Sequence, residues 1–347
     1  MPLFDVRDHD RALYDGELRD FLPERIVDVH THVWLDRFCA HAKEEFARTV
    51  SWPSRVALDD SIEDLVATYE LLLPGRSVTP LIFSSVSEGD DIHALNDYVR
   101  SSARLMRYPA LIFAHPTWSA VELDRRIRSG GFLGVKVYLS LSPAYLPRKE
   151  IRIFDFLPLH QLHVLDRGRR VVMLHIPRDG RLRDPVNIEQ MLEIERSFPG
   201  VRLVIAHVGR AYCEEDVGDA FERLAGTRNM VFDFAANTNE TVFAKALRAF
   251  GPERCLFGSD LPITRMRMRR VCEEGRYVNV VPRGLYGDVA GDKNMREVDP
   301  PESEKLSFFF YEELLAIKRA CSALSLARAD TEAVFNTNAR RVLGLKR

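Results

Sequence analysis

The sequence predicts an α/β protein, a (β/α)8 TIM barrel with insertions after strands 1 and 8. Eight short apolar segments rich in Val, Ile and Phe recur along the chain, and turn residues and a helix-like segment follow each of them. A length of 347 residues suits one such barrel with insertions. We therefore expect residues 1–347 to form a single domain.

The eight apolar segments are the predicted strands of the barrel. Near-continuous apolar strands are typical of a parallel sheet that helices cover on its outer face. In chain order, the predicted strands span residues 25–34, 78–85, 110–116, 132–140, 170–176, 201–209, 229–236 and 254–260.

Start signals mark several of the helices that connect the strands. Ser119 with Glu122 three residues later predicts a capping box, and Asp184 followed by Pro185 predicts an N-cap and a first helical residue. The spacing of apolar residues predicts further helices at about 9–21, 61–73 and 242–250.

Three stretches fall outside the repeated pattern. Residues 1–24 are predicted to be an N-terminal extension, and residues 33–77 an insertion after the first strand. Residues 261–304, which are rich in charge and glycine, are predicted to be a lid-like insertion after the eighth. Because both insertions follow the C-terminal ends of strands, we expect them to lie over the active site of the barrel.

The charge balance limits the classes of partner. Forty-nine Lys and Arg residues against 51 Asp and Glu residues give a net charge of −2, so no global field would attract nucleic acid or an acidic membrane. We expect a small-molecule anionic substrate, no nucleic acid and no membrane, and a homo-oligomer is compatible with the sequence. Any anion must be bound by a local group of basic residues.

The N-terminus and the cysteines suggest a compartment. The first ten residues are acidic where a secretory signal would need a basic stretch and an apolar run. The five cysteines are odd in number, far apart and without a CxxC pair, so we expect free thiols and no disulfide. A cytoplasmic protein is predicted.

Four histidines and one aspartate stand near the C-terminal ends of predicted strands. His30 and His32 alternate on the first strand, and the strands that follow contribute the rest at or just past their last apolar positions. Barrels place their catalytic groups at this end of the strands. The converging residues are His30, His32, His175, His207 and Asp260.

This set of residues predicts a metal site. Several imidazoles brought together pack poorly unless they share a cation, and imidazole nitrogens with a carboxylate oxygen are ligands that zinc accepts. We expect one divalent ion, zinc, rather than two. Asp28, two residues before His30, is predicted to hold His30 or its neighbours in the metal-binding orientation.

These motifs resemble a known family. The HTH of the first strand, the histidines of LHIPR and IAHVG, and the FGSDLP of the eighth strand look like the metal-dependent amidohydrolase superfamily, in its amidohydrolase-related (amidohydrolase 2) branch. The terminal FNTNARRVLGL resembles the closing helix of that branch. The resemblance covers about residues 25–260 and 331–345 and implies a barrel that binds a metal.

The resemblance also implies roles for single residues. His30, His32 and His175 would bind the metal, and Asp260 would both bind it and accept a proton from its water. His207 would be a ligand of a second metal or would polarise the substrate. We therefore expect Asp260 and His207 to be the catalytic residues.

Lys136, on the predicted fourth strand, leaves three roles open. In two-metal members of the superfamily a lysine on this strand is carbamylated and bridges the ions. Direct substrate contact or an internal ion pair is the second role, and an outward-facing or purely structural role is the third. We include Lys136 among the candidate substrate-binding residues.

Arginines follow each strand that carries a candidate ligand. A guanidinium group matches a carboxylate or a phosphate bidentately, so arginines above the metal would select an anionic substrate. Most of these arginines are expected on solvated faces or in pairs with acidic residues. Arg178 and Arg210 are the two for which we predict substrate contact.

Three functions remain compatible with the sequence. The first is a metal-dependent hydrolase of a small anionic ester, lactone or amide that uses a metal-activated water. The alternative is a metal-dependent non-oxidative decarboxylase of a small carboxylic acid, which would use the same ligands. A barrel that binds a ligand without catalysis is the third and is the least favoured.

Overall fold

The structure, a computed structural model that describes residues 3–40 and 56–346, has eight parallel strands arranged in chain order. The predicted TIM-barrel class is confirmed. The barrel strands are β1 (Arg25–His32), β2 (Ser77–Phe83), β3 (Leu111–Phe113), β4 (Gly134–Val137), β5 (Val171–Leu174), β6 (Arg202–Ile205), β7 (Met230–Asp233) and β8 (Cys255–Leu256).

Hydrogen bonds connect the strands around the barrel. β1 pairs with β2, and β3 to β8 form one continuous parallel sheet. A parallel bridge between Ile82 and Ala110 joins β2 to β3. On the other side, the Val29 N–H donates to the Phe257 carbonyl at 3.1 Å, next to a parallel bridge between Thr31 and Leu261. The two sheets therefore meet at both edges, as a closed barrel requires.

The helices include those that the sequence predicted, with shifted ends. The α-helices are α1 (Asp8–Leu13), α2 (Ile62–Leu72), α3 (Ile92–Met106), α4 (Ala120–Gly130), α5 (Ile153–Phe156), α6 (Leu159–Arg167), α7 (Pro185–Ser197), α8 (His207–Arg210), α9 (Ala220–Leu224), α10 (Glu240–Phe250), α11 (Phe309–Ala323), α12 (Arg328–Glu332) and α13 (Asn338–Leu343). A π-helical turn at Tyr14–Leu18 extends α1. The α8 segment is one turn with left-handed residues inside it.

The predicted N-cap at Asp184 forms, but only half of the capping box predicted for Ser119 and Glu122 does, because the Glu122 carboxylate pairs with Arg126. The Ser119 hydroxyl accepts a hydrogen bond from the Glu122 N–H at 3.2 Å at the start of α4. The Asp184 carboxylate accepts one from the Val186 N–H at 3.0 Å, and Pro185 is the first residue of α7. These contacts satisfy backbone donors that the first turn of a helix leaves without partners.

Apolar side chains fill the inside of the barrel and the layer between strands and helices. Val27, Val29 and Phe83 belong to the inner cluster, which α13 closes at one end with Val342 and Leu343. A larger cluster lies between the barrel and its helices. Both faces of the strands are therefore buried, which explains their near-continuous apolar sequences.

The 261–304 segment forms a three-stranded sheet. The strands β9 (Arg269–Glu273), β10 (Arg276–Pro282) and β11 (Met295–Val298) have the order β11-β10-β9, with β9 antiparallel to β10. Met266, Met268 and Val281 pack there with Phe309 of α11 and Ala236. The insertion thus has its own apolar cluster. The insertion at 33–77 lies partly outside the described residues.

The expectation of free cysteines is wrong for one pair. Cys213, after α8, and Cys272, on β9, form a disulfide, although 59 residues separate them in the sequence. The folding of the inserted sheet against the loop after β6 brings them together, and sequence spacing gave no sign of this contact. Cys39, Cys255 and Cys321 are free thiols. Among the described residues, no helix combines the length and apolarity needed to cross a bilayer.

Gly134 allows a close approach between β4 and β5. A Cβ atom at this position would lie 1.8 Å from the Val171 carbonyl oxygen. Gly134→Ala must therefore displace a strand backbone, and we expect a loss of about 3 kcal/mol or more in the free energy of unfolding.

Chemical denaturation would measure this loss. Gly226→Ala is the matched control, because a Cβ atom at Gly226 would have no neighbour within 4 Å. If Gly134→Ala and Gly226→Ala unfolded at the same denaturant concentration, the tight β4–β5 contact would be refuted.

Candidate active site

The candidate residues gather at the C-terminal end of the barrel. β1 contributes two histidines, and β4 contributes a lysine. The other residues lie just past the ends of β5, β6 and β8. All of them are buried: His30, His32, Lys136, His175, His207 and Asp260.

Three of these residues form a compact cluster of metal-binding groups. One ligand atom each from His30, His207 and Asp260 lies within 4.8 Å of the others. The Asp260 Oδ1 is 3.4 Å from His30 Nε2 and 3.1 Å from His32 Nε2. The sequence prediction of convergence at one rim therefore holds for His30, His32, His207 and Asp260.

The second nitrogen of each imidazole in this group contacts a hydrogen-bond acceptor. His30 Nδ1 lies 2.9 Å from the Asp233 carboxylate, and His207 Nδ1 lies 2.8 Å from the Ala235 carbonyl oxygen. His32 Nδ1 is 3.3 Å from the Ser84 carbonyl oxygen. A proton on each Nδ1 would satisfy these acceptors and would leave the Nε2 lone pairs of His30 and His32 beside the Asp260 carboxylate. A shared cation would stabilise that arrangement.

Asp233, at the end of β7, is a site residue that sequence reasoning missed. Its Oδ2 accepts from the His30 ring, while its Oδ1 accepts from the His207 N–H at 2.7 Å and the Ala235 N–H at 3.1 Å. One carboxylate thus positions two candidate ligands. The available signal was a lone aspartate at the end of the VFD strand, in the same position as the other candidates.

Asp28 holds His30 and its neighbours, as predicted, through the backbone of His30 rather than through its ring. Its Oδ1 accepts from the backbone N–H groups of His30 and Ser259, and its Oδ2 accepts from the Tyr69 hydroxyl at 2.8 Å. The pairing register of β1 shifts between Asp28 and Thr31, so simple alternation along the strand does not apply. Asp28 therefore fixes the backbone around His30.

The backbone is left-handed where two of the functional side chains enter the site. His207 has φ of 57° and Asp260 has φ of 59°. Residues other than glycine adopt this conformation rarely, and such outliers cluster at functional sites. The predicted strands at 201–209 and 254–260 are too long for this reason, because the chain leaves the sheet before it reaches these residues.

Burial and neighbouring charges set the protonation states of the cluster. Burial lowers the pKa of His30, His175 and His207, so these imidazoles are neutral at pH 7. Burial alone would raise the pKa of Asp260, but the neighbouring His30 and His207 hold it below its usual value. Neutral imidazoles beside an ionised carboxylate are the forms that bind a divalent metal.

Lys136 points into the site. Its Nζ lies 3.2 Å from His30 Nε2 and 4.9 Å from the centre of the Phe83 ring. Burial lowers the pKa of Lys136 to about 8. Lys136 therefore does not face outward, and the roles of metal bridge, of substrate or ion-pair contact and of a purely structural residue stay open.

His175 borders the cluster on the side of Tyr138. The centre of its ring is 5.3 Å from that of His207 and 4.6 Å from that of Tyr138. Its Nδ1 is buried and has no hydrogen-bond partner among the described residues. A buried nitrogen without a partner fits a group that binds an ion. The ligand role of His175 stays a prediction.

The two arginines singled out from the sequence have different surroundings. Arg178 Nε lies 3.0 Å from the Asp184 carboxylate, the pairing that the sequence suggested for most of these arginines. Arg210 Nη1 donates to the carbonyl oxygens of Ile176, Pro177 and Arg178 at 3.0 to 3.3 Å. Its positive charge acts on His175 and Tyr138. Their contact with substrate stays a prediction.

A family comparison agrees with this arrangement. The family model described as Amidohydrolase (amidohydrolase-2) matches residues 27–345, which include every candidate site residue. The chain belongs to the amidohydrolase family. The resemblance inferred from the sequence motifs is thereby confirmed. A comparison of this chain with curated proteins found no significant match.

Solved structures of amidohydrolases share the fold of this family member. A zinc-bound amidohydrolase from Burkholderia multivorans has a TM-score of 0.56 at 15% identity, with 92% of this chain and 99% of that chain covered. A probable 2-pyrone-4,6-dicarboxylic acid hydrolase from Acinetobacter baumannii, with bound citric acid, has a TM-score of 0.55 at 14% identity. The match covers 92% of this chain and 99% of that chain. Manganese-bound 5-carboxyvanillate decarboxylase from Novosphingobium aromaticivorans has a TM-score of 0.56 at 12% identity. The match covers 93% of this chain and 97% of that chain.

The Asp233 carboxylate gives the first test of the site. An amide has only one acceptor oxygen. The side chain in Asp233→Asn can therefore accept a hydrogen bond from the His30 ring or from the N–H groups of His207 and Ala235, but not from both. Loss of such a supporting carboxylate typically weakens metal binding by about 10- to 100-fold. We expect that loss for zinc in a chelator-competition titration.

Asp97→Asn is the control for this measurement, since the Asp97 side chain is exposed on α3 and pairs only with the neighbouring Arg100. Unchanged zinc affinity in Asp233→Asn would show that the Asp233 contacts do not orient metal ligands.

Proposed function

We propose that this amidohydrolase is a metal-dependent hydrolase of a small anionic ester, lactone or amide. The observation that carries the proposal is the buried cluster of His30, His207 and Asp260 at the C-terminal end of the barrel. Barrel enzymes place their catalytic groups at this end. The Cys213–Cys272 disulfide removes the free-thiol argument for the predicted cytoplasmic localisation.

The donor set fits one divalent ion. One ligand atom each from His30, His207 and Asp260 lies within 4.8 Å of the others, and His32 Nε2 lies 3.1 Å from Asp260 Oδ1. His175 adds a buried nitrogen that has no partner among the described residues. We propose that zinc is held by His30, His32, His175 and Asp260, with His207 as an adjoining or alternative ligand. When bound, such an ion supplies Lewis acidity and lowers the pKa of a water molecule towards neutrality.

Asp260 is the proposed proton acceptor. The pKa of this buried carboxylate lies below its usual value, because protonated His30 and His207 favour its charged form, so it is ionised at pH 7. An ionised carboxylate in this position can take a proton from water and pass it to the leaving group. His207, which the Ala235 carbonyl orients, is the proposed group that polarises the substrate carbonyl oxygen.

Arg178, Arg210 and Lys136 are the proposed substrate-binding residues. Arg210 has the stronger support, because its guanidinium group donates to neutral carbonyl oxygens, whereas Asp184 partly neutralises Arg178. A carboxylate would complement the charge of Arg210 beside Tyr138 and His175. The citric acid bound to the related Acinetobacter protein is a ligand of this chemical class.

Decarboxylation of a small carboxylic acid is the second candidate function. Decarboxylases of 2,6-dihydroxybenzoate and 5-carboxyvanillate share the fold of this chain. The same buried histidines could donate a proton to the carbon that loses carbon dioxide. A panel of lactones, esters and aromatic acids separates the two functions, because hydrolysis releases one acid equivalent and decarboxylation releases carbon dioxide.

Asp260→Asn tests the proposed proton transfer. The amide keeps an oxygen that can bind the metal but cannot accept the proton. We expect kcat to fall by a factor on the order of 10² or more while bound zinc, measured by elemental analysis, is retained.

Asp124→Asn, a change on α4 at an aspartate paired with Arg128, should leave kcat unchanged. If Asp260→Asn kept full turnover with zinc bound, Asp260 would not be the proton acceptor, and His207 would become the candidate base.

A further inference from the structure

Arg270, on β9 of the inserted sheet, is a buried cation near the candidate active site. Only 9% of its surface is exposed. Among the residues that the structure describes, no carboxylate lies within salt-bridge distance of its guanidinium group. A buried charge without a counter-ion is costly, so it calls for an explanation.

The neighbouring arginines of the same segment differ from Arg270 in this respect. The carboxylates that pair with Arg265, Arg267 and Arg269 lie at 3.4, 2.8 and 3.6 Å, respectively. Their partners are Asp60, Asp10 and Glu302. Arg270 is therefore the arginine of this run whose positive charge is not neutralised by a partner in the described parts of the chain.

All contacts of the Arg270 side chain are with neutral groups. Nη1 donates to the Ala236 carbonyl oxygen at 2.6 Å, and Nε donates to Asn279 Oδ1 at 2.8 Å. The rings of Tyr212, Tyr277 and Phe309 lie 4.5 to 4.7 Å from its central carbon. These contacts fix the orientation of the group but leave its full charge, and Nη2 donates to no group in the described residues.

Arg270 lies next to the loops that carry the catalytic candidates. Ala236, which accepts its hydrogen bond, follows Ala235, the residue that orients the His207 ring. The Tyr212 ring packs against Arg270 and lies 6.5 Å from the His207 ring. The negative charge of Asp260 also acts on Arg270. The positive charge of Arg270 therefore acts within the candidate active site.

We propose that Arg270 binds a carboxylate group of the substrate, at a position supplied by the inserted sheet. The inference rests on the proposed function and identifies the substrate as one whose carboxylate is separate from the bond that is broken. The carboxylate would supply the counter-ion that the fold lacks, and the free edge of the guanidinium group would hold it through charge-assisted hydrogen bonds. Burial also lowers the pKa of Arg270.

The substitution Arg270→Met tests this assignment. The wild-type enzyme and the variant would be compared on an aryl ester that carries a carboxylate and on the matching ester that carries a carboxamide. We expect KM for the carboxylate ester to rise by a factor on the order of tenfold or more, the usual loss for a hydrogen bond to a charged group, while KM for the carboxamide ester changes little. Arg270→Lys keeps the charge without the planar guanidinium group. Its KM for the carboxylate ester should lie between those of the wild-type enzyme and Arg270→Met.

Arg269→Met is the matched control, because Arg269 is the preceding residue of β9 but is exposed and paired with Glu302. It should leave both KM values unchanged. If Arg270→Met raised KM equally for the two esters and also lowered the melting temperature or the bound zinc, the assignment would be overturned. Arg270 would then have a purely structural role at the Ala236 loop.

A binding measurement separates this inference from the proposed function. Glutarate should raise the melting temperature of the wild-type enzyme and of Arg269→Met but not of Arg270→Met, and neutral glutaramide should stabilise none of them. This result would support the carboxylate site even if neither ester were hydrolysed. Failure to hydrolyse the esters would count only against the proposed hydrolase function. Equal stabilisation of wild type and Arg270→Met by glutarate, or none of either, would refute the carboxylate site.

Discussion

The Asp233 carboxylate is the contact on which the candidate site depends. One oxygen accepts from the His30 ring, on the first strand of the barrel, and the other accepts from the His207 backbone, beyond the sixth. Closure of the barrel brings these distant parts of the chain to one buried point. A carboxylate with two acceptor oxygens can fix both, and it leaves His30 Nε2 3.4 Å from Asp260 Oδ1.

The left-handed residues complete this arrangement. A side chain that stays on a strand can face only the inside or the outside of the barrel. At His207 and Asp260 the chain instead turns sharply after the strand, which brings both side chains over the end of the barrel. Hydrogen bonds compensate for the rare backbone conformation: the His207 N–H donates to Asp233, and the Asp260 N–H donates to the His30 carbonyl oxygen at 2.8 Å.

The sequence predicted the features that local pattern determines. Apolar strands, helix caps and histidines at strand ends follow from periodicity and residue type, and the fold and the converging His30, His207 and Asp260 were found in this way. Contacts made by tertiary packing were missed. The Asp233 bridge and the Cys213–Cys272 disulfide each join segments whose proximity depends on how the barrel closes and the inserted sheet packs.

The near-neutral net charge conceals a local electrostatic feature that only the structure shows. In the sequence, Arg265, Arg267 and Arg270 belong to one basic run and are indistinguishable by residue type. Folding neutralises the first two with carboxylates from distant segments but surrounds Arg270 with aromatic rings and carbonyl oxygens. Since the cost of burying a charge depends on its partners, the residue that packing leaves unneutralised beside the site is the one best placed to select an anionic substrate.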